Sequence, residues 1–476
     1  TPSHMAFERF IKDKLTMPIE DIFVDINKYI EAHLDVNYKR SKSEEPHRNP
    51  MDLQYRATPP IYAARWSNGM WGDVKDGENT LAMITDGGLK TSWYNRLGGK
   101  AAIDISPIEG LKISGVIAPT YNFDKVKSFR KQVPFTYAND PNTIKGYMNG
   151  FTTTKLTENR NDSYDVTTQF FANYNKTFGK HELSAMVGYE DYYAFWEKLS
   201  ASRDQYELTN FPYLDIGPEN LRDNGGNAEE YAYRSFFGRI AYSYDNRYLL
   251  QVNFRRDGSS RFAPDSRWAN FPSLSAGWVA SEEQFIKNLD WNWLSFLKLR
   301  GSWGKVGNDG IIKDPRFVYM PEIVGGPNYK DPEPGSENTF SRKEVKNYGD
   351  PDVKWEVSEQ VNLGIETRFF KDILEINADF YQEVRHNIIE QRVTIPAQIG
   401  VEVNPLDNMG KVRARGMDLS AKVQHAFNKD FWVILNGTFT YNKAIYKELE
   451  EAKDRPYWQL KTGYELSQRV GYIAEG

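Results

Sequence analysis

The sequence predicts an all-β protein: a portion of an antiparallel transmembrane β-barrel, with about 14 strands legible and long extracellular loops. Three observations predict the class. Period-two alternation of apolar and polar residues recurs in hairpins along the chain, short and long connections alternate strictly, and no apolar run is long enough for a helix to cross lipid. Mean hydropathy is −0.66, and a spanning helix needs roughly 18 to 20 apolar residues. A barrel escapes that requirement because its strands turn only every second side chain to lipid.

The hairpins follow in order. Ile22 to Ile26 pairs with Ala32 to Tyr38, and Ala101 to Ile105 with Leu111 to Ile117. Tyr164, Val166, Phe170 and Tyr174 alternate with polar neighbours, turn through Phe178-Gly179-Lys180-His181 and return through Leu183, Ala185, Val187 and Tyr189. Gly238, Ile240, Tyr242 and Tyr244 lead through Asp245-Asn246-Arg247 into Tyr248, Leu250, Val252 and Phe254, a hairpin with a tight turn. Pro272 to Val279 pairs with Leu297 to Trp303, and Val361 to Phe369 with Leu374 to Phe380. Met417, Leu419, Ala421 and Val423 turn at Asn428-Lys429-Asp430 into Phe431, Val433, Leu435, Phe439 and Tyr441. Each strand should hold roughly the 9 to 11 residues of a tilted membrane crossing.

Between hairpins the chain inserts Arg40 to Asn95, Asn122 to Ser163, Glu197 to Glu230, Lys305 to Glu356 and Arg385 to Lys411. Outer-membrane barrels combine short periplasmic turns with long outer loops in this way. Aromatics near strand ends, such as Tyr242 with Tyr244 and Phe439 with Tyr441, suit an interfacial girdle. Side-chain period then assigns Leu250, Val252, Phe254, Leu183, Ala185, Val187, Val433, Leu435 and Phe439 to lipid. The same rule turns Gln251, Asn253, Arg255, Glu182, Ser184, Asn436 and Thr438 to the lumen.

Composition excludes other classes. The 476 residues contain no Cys and six His, which removes disulfide scaffolds and Cys-ligated zinc and leaves no metal site or cofactor to predict. Sixty basic side chains against 65 acidic give a net charge of −5, so no basic field recruits nucleic acid. Without a basic n-region and apolar h-region at the N-terminus, and with an abrupt end at Gly476, the chain reads as an excerpt of a longer polypeptide. Ser3-His4-Met5 reads equally as native sequence or as an expression scar.

Candidate chemistry is sparse, and no catalytic residue or enzyme is predicted. Asp257-Gly258-Ser259-Ser260 follows a strand and precedes Pro264 rather than a helix, so it is a turn rather than a phosphate cradle. Gly304-Lys305-Val306-Gly307 lacks P-loop spacing. The doublets Glu44-Glu45, Glu229-Glu230 and Glu282-Glu283 are adjacent in sequence, so on a strand they face opposite sides and cannot form a catalytic pair. Aromatics in or beside the loops are the candidate ligand contacts, because sugar rings stack on aromatic faces: Trp66, Trp71, Trp93, Tyr213 and Trp268, with Tyr329 and Trp458 as further members. Packing over a barrel mouth is their alternative role.

Several ordered motifs then resemble the SusC/RagA family of TonB-linked outer-membrane transporters. They are Arg247-Tyr248-Leu249-Leu250, the run Arg255 to Pro264, Phe271 to Trp278, Leu297 to Gly304 with Gly307-Asn308-Asp309, and Lys354-Trp355-Glu356 leading to Asn362-Leu363-Gly364-Ile365-Glu366. Asn408 to Val412 with Arg415 to Leu419, and Thr58-Pro59-Pro60-Ile61-Tyr62, complete the set. The resemblance covers roughly residues 20 to 476 and implies a partial barrel domain over 1–476, about 14 of about 22 strands, with the plug domain and C-terminal strands absent. It further implies the outer membrane of a Gram-negative bacterium and import of oligosaccharides, glycans or peptides. The implied partners are a SusD-like surface lipoprotein and, through the missing N-terminal part, the TonB complex. A siderophore or vitamin receptor, and a secreted glycan-binding β-protein that does not transport, stand as alternatives. As an excerpt, the sheet should be open between the strand near Ile22 to Ile26 and the strand near Phe431 to Tyr441.

Overall fold

The computed structural model describes residues 13–48, 61–75, 77–289, 291–310, 317–330, 337–396, 398, 403–469 and 471. Thr58, Pro59 and Pro60 of the first-loop motif, and Ser3-His4-Met5, lie outside these. Eighteen strands are named among the described residues. They are β1 (Asp13–Asn27), β2 (Ile30–Pro46), β3 (Gly88–Ile108), β4 (Leu111–Arg130), β5 (Pro134–Thr136), β6 (Ile144–Tyr147), β7 (Lys155–Phe178), β8 (His181–Asp204) and β9 (Arg222–Tyr244). They continue with β10 (Tyr248–Ser259), β11 (Trp268–Val279), β12 (Leu294–Asn308), β13 (Glu322–Lys330), β14 (Thr339–Asn347), β15 (Glu356–Phe369), β16 (Leu374–Gln391), β17 (Leu406–Ala426) and β18 (Trp432–Glu448). Among the described residues the α-helices are α1 (Thr80–Asp86) and the single turn α2 (Gln284–Lys287).

Fourteen strands form one sheet in the order β1-β2-β3-β4-β7-β8-β9-β10-β11-β12-β15-β16-β17-β18. Every member neighbours its sequence neighbour, the two inserted hairpins aside, and β1 and β18 stand at the two ends of the order. No described helix is long and apolar enough to cross a membrane. The alternation of connections is as the sequence predicts. Two residues separate β7 from β8 and three separate β9 from β10, whereas 17 lie between β8 and β9 and 47 between β12 and β15.

Strand length departs from the expected crossing. β7 and β8 each run 24 residues, and β3 and β17 each run 21. Pairing needs only backbone groups, so the ladder continues into polar sequence where hydropathy gives no signal. The loops shorten accordingly: the expected Asn122 to Ser163 connection reduces to residues 131–154, and it contains the hairpin β5-β6.

The turns have local causes. Asp245 and Asn246 both take positive φ, 51° and 54°, at the centre of a β-turn that the Arg247 N–H closes on the Tyr244 carbonyl at 2.9 Å, a left-handed conformation that Asp and Asn tolerate best. At the β17-β18 turn the Asn428 side chain accepts hydrogen bonds from the backbone N–H of Asp430 and Phe431, at 2.9 and 2.8 Å.

The chain divides into two compact units. The first (Thr1–Ile103, Val116–Thr168, Tyr192–Glu230) carries a small loop core of Trp71, Ala82, Met83, Val133, Phe135 and Met148. Helix α1 supplies Ala82 and Met83. Asn79 caps it, accepting from the Ala82 N–H at 3.1 Å while its Nδ2 donates to the carbonyls of Ala64 and Gly72.

The second unit (Asp104–Gly115, Gln169–Asp191, Tyr231–Gly476) displays the two faces of the sheet. Register places Tyr242, Leu250, Ala276, Gly301, Leu363, Phe380, Met417 and Tyr441 side by side across eight strands. This row is apolar and open: Leu250 is 45% exposed and Leu363 62%. One residue along, the opposite face carries Ser243, Leu249, Gly277, Arg300, Gly364, Asp379, Asp418 and Thr440. The division by alternation therefore holds strand after strand.

Candidate functional site

The polar face is a ladder of charges that reach across strands. Arg300 on β12 donates from Nε to Glu366 on β15 at 2.8 Å and from Nη2 to Asp379 on β16 at 2.7 Å, while Lys298 approaches Glu366 at 3.2 Å. Arg300 can span two strands because Gly364 stands directly opposite it, and a Cβ there would lie 2.6 Å from the Arg300 guanidinium carbon. On β10, Arg255 donates to Asp257 at 2.7 Å, Ser235 at 2.8 Å and Glu190 at 3.1 Å. A cavity of about 630 Å³ opens on this face toward the short-turn end, lined by Glu182, Ser184, Ser243, Gln251, Lys298 and Arg300 among others.

The run Arg255 to Pro264 has an architectural explanation. Ser259 and Tyr231 both donate to Asp309 Oδ2 at 2.6 Å, and Ser260 Oγ accepts from the Ala232 N–H at 3.0 Å. Phe262, only 1% exposed, anchors a core with Phe271, Val318, Val353, Trp355 and Ile389. Asp257, Gly258 and Ser259 end β10, with the turn following, and no helix receives an anion there.

The acidic doublet Glu282-Glu283 lies in a helical turn rather than on a strand, and its two members take different settings. Glu282 pairs with Lys287 at 2.7 Å in solvent. Glu283 is buried and gathers Tyr248 Oη, Trp278 Nε1 at 3.1 Å and Arg247 Nη1 at 3.0 Å. Hydrogen bonds from Tyr248 and then Trp278 hold its carboxyl below the usual glutamate range. Trp291, Trp293 and Phe369 stack at this short-turn end, with ring centroids 5.3 and 5.8 Å apart.

The loop aromatics fall into distinct settings. Trp71 is a core residue, 7% exposed, with Nε1 donating to Asp86 at 2.8 Å and the Arg65 guanidinium 3.7 Å above its ring. Trp66 is half-buried against Gly72. Both therefore take part in loop packing. Trp93 lies on β3 and Tyr213 in the β8-β9 connection, and both lie near one charged group. Lys125 stands 5.5 Å from the Trp93 ring centre, Lys127 stands 3.8 Å from that of Tyr213, and both lysines face Glu158 at 3.4 and 3.8 Å. Tyr213 is half exposed and also meets Phe211. Trp268 opens β11 in the other unit, lying flat on Gly258 with Arg256 5.5 Å from its ring. Tyr329 stacks on Phe340 at the end of the β13-β14 hairpin, and Trp458 packs edge-on to Tyr457. The cross-strand ladder escaped the sequence reading, because its members are far apart in the chain and only register brings them together.

An apolar row on one face of the sheet, a charged row on the other and alternating short and long connections are the features of an outer-membrane β-barrel wall. Residues 45–474 match the family described as TonB dependent receptor-like, beta-barrel, and the chain belongs to that family. It is similar to TonB-dependent receptor P39 of Formosa agariphila, 28% identical over 83% of this chain and 38% of that protein. It is also similar to TonB-dependent receptor SusC of Bacteroides thetaiotaomicron, 30% identical over 65% of this chain and 31% of that protein. The fold matches the RagAB peptide importer in its closed-closed state with a TM-score of 0.77 at 21% identity, covering 95% of this chain and 49% of that one. The chain thus spans from 31% to 49% of the length of these proteins. Its family places it in the outer membrane of a Gram-negative bacterium, and such receptors are transporters rather than enzymes.

Proposed function

We propose that this chain is the barrel portion of a SusC/RagA-type importer, taking up oligosaccharides or peptides through TonB with a SusD-like lipoprotein at its outer face. The observation that carries the reading is the pairing of the open apolar row through Leu250 and Leu363 with the charged row through Arg300 and Asp379. The first suits hydrocarbon, and the second suits a water-filled or plugged interior. The name of one structural relative, a peptide importer, suggests the peptide class, and the motif resemblance to the SusC/RagA family suggests the oligosaccharide class. On this reading a plug and further strands complete the receptor. Trp93 and Tyr213 are the loop aromatics with faces best disposed to a ligand, Trp268 following.

The test is uptake by cells carrying the complete receptor. Labelled oligosaccharide and peptide mixtures should enter only when TonB is present and the inner membrane is energised. Copurification should bring down a surface lipoprotein. Entry that persists without TonB would make the chain a passive pore and end the proposal.

A further inference from the structure

At the long-loop end of β15, β16 and β17 the second unit holds a cavity of about 500 Å³, lined by Glu356, Glu383, Arg385, Glu390, Ile388 and Val412 among others. Its shape follows from an irregularity in β16. Asn387 takes φ 56°, and the pairing with β17 shifts between Arg385 and Ile388. A bulge of this kind re-aims the residues that follow it. Gly410 on β17 accommodates the change: a Cβ there would stand 2.8 Å from Ile388 Cβ and 3.4 Å from Glu390 Oε1.

The charges around this cavity do not balance. Among the lining residues three carboxylates face one guanidinium, which is already engaged, and beyond the lining Lys461 lies within electrostatic reach of Glu390. Arg385 Nε donates to Glu383 at 2.7 Å, and Ser358 Oγ donates to the same oxygen at 2.8 Å. Glu356 is 5% exposed, yet its carboxylate receives no hydrogen bond from any described residue, and Arg385 Nη1 stands 3.9 Å away. A carboxylate removed from bulk water without a donor is costly. The three carboxylates do not gather within metal-ligating reach of one another, so an organic cation suits the cavity better than a bare metal ion. Ile388 and Val412 add an apolar wall on which an alkyl stem can lie.

We propose that this cavity is a subsite for a positively charged group of the transported ligand: an ammonium or guanidinium that donates to Glu356 and Glu390. The inference rests on the import reading and narrows its substrate class to ligands carrying such a cation. A lysine or arginine side chain of a peptide and the amino group of a deacetylated amino sugar are the two sources of that chemistry.

Calorimetry on the complete receptor in detergent tests it with two matched pairs of probes. One pair is an end-blocked, lysine-centred alanine pentapeptide and its ε-acetyl-lysine counterpart, and the other is a glucosamine tetramer and its N-acetylated counterpart. In at least one pair the charged member should bind about tenfold tighter, the lower range for a charge-assisted hydrogen bond to a buried carboxylate. The pair that shows the preference identifies the source of the cation. Glu356→Gln combined with Glu390→Gln should reduce the preference to about threefold or less and leave the acetylated member's affinity unchanged. Glu390→Gln alone, at a half-exposed position, provides the same readout in a milder variant, and heat-modifiable gel mobility verifies that each variant is folded. Equal affinity within both pairs, a preference that survives the double substitution, or no binding by any probe overturns the proposal. TonB-dependent uptake of the acetylated probes separates the two readings. If uptake persists while the charge preference is absent, the subsite alone is wrong.

Discussion

Arg300 lies across the bare backbone of Gly364 and places its Nη2 2.7 Å from Asp379 Oδ2, so one side chain joins three consecutive strands on the charged face. Replacing it removes the donor that Asp379 shares with no other described residue, while Lys298 remains for Glu366. Arg300→Leu should therefore cost about 1 to 3 kcal/mol. Gly364→Leu should cost a similar amount by pushing the guanidinium aside. Urea titration of the detergent-folded protein, followed by Trp fluorescence, measures both. Additive losses in the double variant would show that the two positions act independently and that glycine does not serve the arginine.

Facing is testable on one strand. Val252 is 44% exposed on the apolar row, and Asn253 hydrogen-bonds Ser273 at 3.0 Å on the other. In a bilayer Val252→Arg should cost about 2 to 4 kcal/mol. Asn253→Arg should cost much less, since it enters a face already lined with charge. Equal losses from the two changes on refolding into vesicles would contradict the lipid assignment.

Glu283 gives the short-turn end an acid-sensitive contact. Its carboxyl is depressed below the ordinary value of 4.5 by hydrogen bonds from Tyr248 and Trp278. A group whose folded pKa is lowered stabilises the fold fully above its unfolded value, and that contribution is lost as pH falls through the folded one. Glu283→Gln should thus be less stable than the parent at pH 7, with the gap closing below about pH 4. A gap that stays constant between pH 7 and pH 3 in denaturant titrations would assign the effect to packing.

Trp71 and Tyr213 should behave oppositely. Trp71→Ala removes a 7%-exposed core ring and should destabilise the loop unit by about 3 to 5 kcal/mol. Hydrogen exchange along α1 should read it directly. Tyr213→Ala removes a half-exposed face and should leave exchange unchanged while weakening ligand binding. Normal uptake in that variant would reduce Tyr213 to a surface partner of Lys127.

The strand pairs around Tyr242, Leu250 and Met417 were legible from the sequence because alternation is a local signal: one residue in two is apolar, and the Asp245-Asn246 turn marks the reversal. So were the order of short and long connections and the motifs that resemble the family, each contained in a short stretch of chain. The helix α1 was signalled only by Asn79 ahead of Leu81, Ala82 and Met83, a weak cue within a long loop. Tertiary structure alone decided how far β7 and β8 extend, because backbone pairing continues where side chains carry no hydropathy pattern. It also decided that Trp71 is core while Tyr213 is open, since burial depends on what other segments lie above a ring. The Arg300-Asp379 bridge and the Glu356 cavity arise from register between strands dozens of residues apart, and a long-range register cannot be read from the composition of either strand.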